Sequence, residues 1–271
     1  MVKKLFKHEF LSLFRLMLPI ECAVLGAGIL VRIIFLFESK NELSESLRYS
    51  AIFIMVVALA AGTISAITFG VKRYYNNLFT VEGYLSFTLP VTPAQHIFVK
   101  AITATAFEFI AGFIAIISFC IASAGDLLEE VFELIAYLLK LAFNEYNPAH
   151  LILFVFELII LLILSTVSRY LLFYCCITIG QLSQKRKVAT AFGVFGLYIL
   201  VTNILSVIID VVLGNMLLGT DFINQMYEFY EKNPYLCTHI GFIISLAWYV
   251  AISAVYFLIS NIIIKKKLNL E

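Results

Sequence analysis

The sequence predicts an all-α polytopic membrane protein with six transmembrane helices and both termini in the cytoplasm. Three observations carry this. The 271-residue chain is 62% hydrophobic and 14% charged, whereas a soluble domain is about half apolar and about a quarter charged. Six apolar stretches lie near 16–37, 50–71, 97–123, 150–174, 188–213 and 239–263. Each reaches the roughly 20 residues with which a helix crosses about 30 Å of hydrocarbon. The intervening segments alternate in charge. One set holds Lys3, Lys4, Lys7, Arg15, Lys72, Arg73, Lys100, Lys185, Arg186, Lys187, Lys265, Lys266 and Lys267 against Glu9, Glu82 and Glu271. The other is acidic, with Glu38, Glu42, Glu45, Asp126, Glu129, Glu130, Glu133, Glu145, Asp221, Glu228 and Glu231. Basic segments stay cytoplasmic, so the two termini share the inner side, as an even number of spans requires.

The elements follow in order. In residues 3–17, Phe6, Phe10, Phe14 and Met17 recur on one side and Lys4, Lys7 and Arg15 on the other. This predicts an amphipathic helix over 1–15, lying in the cytoplasmic interface ahead of the first span. Pro19, Glu21 and Arg32, with no A-x-A site, argue against a cleavable signal. After the second span comes a cytoplasmic connection whose distinctive element covers 75–92. It is aromatic-rich, with Leu78, Phe79, Tyr84, Leu85 and Phe87 around the single charge of Glu82. Such an apolar knob either docks onto another protein or lies on lipid. Thr92-Pro93-Ala94-Gln95 reads as a helix start, with Thr92 as N-cap, Pro93 at N1 and Gln95 at N3, so the third span begins inside the cytoplasm.

On the acidic side, Asp126 and Glu129 open an amphipathic helix over 126–145 in a pattern like a capping box. Leu128, Val131, Phe132, Ile135, Leu138, Leu139 and Ala142 form one stripe, and the helix ends before Asn147-Pro148. The fourth apolar region, from His150 to about Gln184, makes a helix of roughly 50 Å. That length predicts either a protrusion or a bend, and Ser165, Thr166 and Ser168 mark the place for one. Residues 214–238, rich in Tyr, Phe and acids, predict a short surface or re-entrant helix. The absence of an internal repeat counts against inverted-repeat transporters.

Several chemistries are not supported by the sequence. Cys22, Cys120, Cys175, Cys176 and Cys237 form no CxxC and no cluster with histidine, so no metal is expected. His8, His96, His150 and His239 fall on different elements and, by this reading, on different sides. Position 134 is Leu, so Glu129-Glu130 does not begin an EExxxR protease motif. No catalytic residue and no nucleic-acid partner is expected. The chain also lacks GxxxxGK[ST], the loop that cradles nucleotide phosphates, so its energy must come from another chain, from an ion gradient, or not at all.

Glu108, Glu157, Arg169 and Asp210 fall inside apolar spans, with Glu21 and Arg32 nearer the edges. A charge at the bilayer centre costs on the order of 3 kcal/mol, and such groups usually face a partner or a watery path. They are the candidate residues of a substrate path. They also define the alternative reading, an ion-coupled secondary transporter using intramembrane acids.

The run LFTVEGYLSFTLPVTPAQ, residues 78–95, resembles the loop between helices two and three of ABC-2 type transporter permeases, which in Gram-positive bacteria often reads close to LFTDEGYLTFTLPVS. The resemblance covers about 20 residues, in the expected place of a six-helix topology. Val81 departs from it, at a position where an acid is common and makes a polar contact with the ATPase. The resemblance implies the membrane-spanning subunit of a bacterial ABC exporter in the plasma membrane. Two permease subunits, copies or paralogues, would assemble with two ATPase subunits that bind ATP and Mg; this chain carries no cofactor. The coupling element would comprise Phe79, Thr80, Glu82, Gly83, Tyr84, Leu85, Thr88, Leu89 and Pro90, with Lys185 and Arg186 as a second contact. The implied cargo is a small or amphipathic substrate such as a peptide or antimicrobial.

Overall fold

The structure, a computed structural model, describes residues 2–36, 42–88, 90–123, 126–145, 147–217 and 221–267. Among these the secondary structure is entirely helical: α1 (Val2–Leu36), α2 (Glu42–Phe79), α3 (Val81–Thr88), α4 (Pro93–Ala122), α5 (Asp126–Glu145), α6 (Pro148–Gly180), α7 (Lys187–Leu217), α8 (Asp221–Lys232) and α9 (Pro234–Lys267). Six of them, α1, α2, α4, α6, α7 and α9, are long and apolar enough to cross a membrane. They match the six apolar stretches read from the sequence. The 126–145 helix has the expected bounds, and α8 lies inside 214–238.

The chain forms two compact units, Met1–Asn147 and Pro148–Glu271. In the first, α1, α2 and α4 pack on one another and α3 packs on α2. The buried face of α1 comprises Glu9, Leu13, Met17, Glu21, Val24, Ala27, Gly28 and Val31, a stripe of the three- and four-residue spacing that aligns side chains on a helix. Leu13 and Met17 join Ala66, Phe107 and Ala111 in one core cluster, with Phe10 and Phe69 against it. Val31, Ala51 and Met55 form a second. Where α1 meets α4, Gly28 lies so close to Ser118 that a Cβ there would come within 2.5 Å of the Ser118 carbonyl oxygen and hydroxyl. The Ser118 hydroxyl donates to the Val24 carbonyl at 2.8 Å.

One expectation is revised here. No break separates an N-terminal helix over 1–15 from the first span: residues 2–36 are one helix, with Pro19 inside it. The physical reason is packing. Phe10 packs against Phe107 of α4 with ring centroids 4.7 Å apart, and Glu9 is buried, so the N-terminal turns are held against α2 and α4.

The start of α4 is as expected. The Thr92 hydroxyl accepts from the Gln95 amide at 3.4 Å, and the Gln95 side chain accepts from the Thr92 amide at 3.0 Å, a complete capping box with Pro93 at the first helical position. Thr92→Ala should cost about 1 kcal/mol, read as a lower unfolding midpoint of the detergent-solubilised protein; an unchanged midpoint would show that the cap is dispensable.

In the second unit α6 packs on α9 and α7, and α8 packs on α9. The buried positions of α6 concentrate in its second half, from Thr166 to Gly180. Gly180 permits the tight return into α7, since a Cβ there would meet Ala191 Cβ at 2.7 Å and the Lys187 carbonyl at 2.8 Å. Ser165 and Thr166 do back-bond, both to the Leu162 carbonyl, at 3.0 and 2.9 Å, yet α6 runs unbroken through them. On the apolar stripe of α5, Phe132 and Ile135 are exposed.

Candidate functional site

The first unit builds an ionic centre from three helices. Glu9 of α1 is only 4% exposed. Arg73 Nε of α2 donates to Glu9 Oε2 at 2.6 Å, and Lys100 Nζ of α4 donates to Oε1 at 2.7 Å. Asn77 Nδ2 adds a bond to Oε1 at 3.3 Å. Lys100 is itself 4% exposed. Buried charges are tolerated when paired and hydrogen-bonded, so this cluster fixes how three helices are rotated against one another. Sequence reasoning placed Glu9 among the basic residues of one side and assigned it no role. The available signal was one acid in a run of lysines.

From this centre α2 continues to the expected coupling element. Tyr74 and Leu78 are fully buried, and Tyr74 meets Phe79 edge-on at 5.6 Å. Phe79 and Thr80 are half-buried, and the Gly83 amide donates to the Thr80 carbonyl at 2.8 Å. The chain turns there into α3, with Gly83 buried. Outward stand Val81, 85% exposed, and Tyr84, 52% exposed, with Glu82, Thr88 and Pro90 also exposed. Leu78, expected as part of the apolar knob, instead belongs to its anchor, because the i−4 relation to Tyr74 turns both inward. Leu89 lies outside the described residues, as do the side chains of Leu85, Phe87 and Asp126. A cleft beside α3 is lined by Leu16, Phe69, Lys72, Arg73, Asn76, Asn77 and Glu82. In the second unit Lys185 and Arg186 are exposed in the turn between α6 and α7.

Of the candidate path residues, Glu108 belongs to the first unit and Glu157, Arg169 and Asp210 to the second. Glu108 is half-buried on α4, while Arg169 on α6 and Asp210 on α7 are exposed. Glu157 and Arg169 stand about 18 Å apart along α6. Glu157 instead meets His239 of α9, whose Nδ1 lies 3.0 Å from both carboxylate oxygens. His239 Nε2 lies 3.0 Å from His150 Nδ1. The sequence reading had scattered these histidines over different sides; α6 and α9 bring two of them together, because each sits near the first turn of its helix. Glu21, treated as an edge residue, is 6% exposed on the inward face of α1. Its carboxylate has no hydrogen-bond partner among the described residues. Also among the described residues, no three His, Cys, Asp or Glu side chains are grouped to hold a metal ion.

No family model matches the chain, and no curated protein or solved structure matches it.

Proposed function

We propose that this chain is the membrane-spanning subunit of an ATP-driven ABC-2 type exporter, coupled through α3 to a separate ATPase. The observation that carries the reading is the construction of α3. A short helix presents Val81, Glu82 and Tyr84 outward from a base of fully buried Tyr74 and Leu78. An exposed aromatic on an anchored base is how one protein engages a groove on another. The resemblance of residues 78–95 names that groove as the ATPase's. Lys185 and Arg186 make the second contact. ATP and Mg are held by the partner, and a second permease, a copy or a paralogue, completes the assembly. In this reading the basic segments lie in the cytoplasm of a bacterium, the chain is a multi-pass protein of its plasma membrane, and Glu108 faces the route of a small or amphipathic substrate.

The test is a pull-down of the tagged chain from its native membrane in mild detergent, assayed for a co-purifying ATPase. Tyr84→Ala should cut ATPase recovery on the order of tenfold or more, and Glu82→Lys should do likewise, with membrane insertion unchanged in both. Full recovery and transport in both variants would refute the coupling assignment. Recovery of the wild-type chain with no ATPase would refute the exporter reading itself.

A further inference from the structure

At the end of α6 remote from the Lys185–Arg186 turn, three titratable side chains of α6 and α9 stand together. Glu157 lies about two turns into α6 from His150, and His239 of α9 sits between them, 3.0 Å from each. The proton positions follow once Glu157 is taken as ionised: its carboxylate then only accepts, which puts the His239 proton on Nδ1 and a lone pair at Nε2. His150 therefore donates from Nδ1, and its own Nε2 is left as the open base. The side chains of Glu157 and His239 are 13% and 14% exposed. Tyr235 stacks flat on His150 at 4.5 Å and 7°, and Phe154 covers His239 at 4.4 Å. Aromatic faces of this kind favour a cation.

We propose that Glu157, His239 and His150 form one proton-binding site, loaded from the His150 side. A proton arriving at His150 Nε2 forms an N–H bond and converts that ring to an imidazolium. Passage of the Nδ1 proton from His150 to His239 Nε2 then moves the positive charge one ring closer to the Glu157 carboxylate, with the proton count unchanged. A second proton is repelled by the first, so the two rings act as a single site. Imidazole is the side chain that ordinarily changes charge between about pH 5 and 8. The site thus gives the first turns of α6 and α9 a charge set by the pH at that end of the bundle. It stands independently of the ATPase-coupling reading.

Other charged groups on the packed elements are more exposed. Asp210 of α7, which packs on α6, is exposed. On α8, which packs on α9, Glu228 and Lys232 pair with each other at 3.7 Å and are 70% and 73% exposed, and Glu231 is exposed. Salt and water screen such groups more than the half-buried three.

The test is ring-nitrogen NMR of the full chain, labelled at histidine and held in lipid nanodiscs, titrated between about pH 5 and 8. Single His→Gln variants assign the signals. His150 and His239 should move together through one shared step of one proton. Glu157→Gln should remove that step from the range and leave the His8 signal unchanged. Independent titration of the two rings in the wild type overturns the proposal, as does a shared step that persists unaltered in Glu157→Gln. Should that variant fail to fold, His239→Gln decides: the His150 signal must then titrate at a midpoint shifted from the wild-type step, and an unmoved midpoint refutes the site.

Discussion

Replacing Glu9 with alanine should cost the protein about 3–5 kcal/mol, the usual result of removing one member of a buried ionic cluster. The loss comes mostly from what is left behind. Lys100 is 4% exposed and its ammonium lies 2.7 Å from the Glu9 carboxylate, while Arg73, 16% exposed at its side chain, lies 2.6 Å away. Without Glu9 both cations sit in a poorly solvated place among three helices. The measurement is unfolding in mixed detergent, followed by helicity. The double variant Glu9→Ala/Lys100→Met should be less damaged than the sum of its single changes, since it removes the charge that Glu9 had balanced. A Glu9→Ala protein within about 1 kcal/mol of the wild type, at the level of an exposed pair, would show that the cluster is well solvated and the three-helix clamp is not ionic.

The second large effect is steric and changes sign between two glycines on one helix. Gly28→Ala should destabilise by about 1–3 kcal/mol, because the new Cβ would stand 2.5 Å from the Ser118 carbonyl oxygen. That oxygen belongs to the backbone of α4 and cannot rotate away, so α1 and α4 must separate. Truncating Ser118 to glycine should relieve only the hydroxyl part of the clash. Gly26, by contrast, would place a Cβ with nothing within 4 Å. Gly26→Ala should therefore stabilise the helix by about 0.5–1 kcal/mol. Thermal unfolding of both variants checks the pair, and equal shifts would mean that the α1–α4 contact is looser than its geometry.

The helices were legible in the sequence because the features that set them are local. Length and apolarity define the six long helices. The Thr92-Pro93-Ala94-Gln95 start is written in four consecutive residues, and Asn147-Pro148 ends α5. Residues that depend on three-dimensional neighbours were not legible. Glu9 reads as one acid among lysines until α2 and α4 bring Arg73 and Lys100 to it from 64 and 91 residues away. His150 and His239 stand 89 residues apart in the chain, and no periodicity links them. Leu78 looked like part of an exposed aromatic group because the sequence does not mark where the α2 anchor stops and α3 begins. The continuity of α1 through Pro19 was obscured for a related reason, since a proline and a change of polarity both resemble an end when packing is unknown.

The unbroken run of α2 has a mechanical consequence. Its 38 residues make a rod of about 57 Å, with α3 fixed at one tip by Tyr74 and Leu78. A rod does not absorb a push; it converts a small rotation into arc length. Tilting α2 by about five degrees around its α3 end would sweep the far tip near Glu42 through about 5 Å, roughly one helical pitch. Motion imposed at the short helix would therefore arrive amplified at the other end of the first unit, and no hinge within α2 would be needed to carry it there.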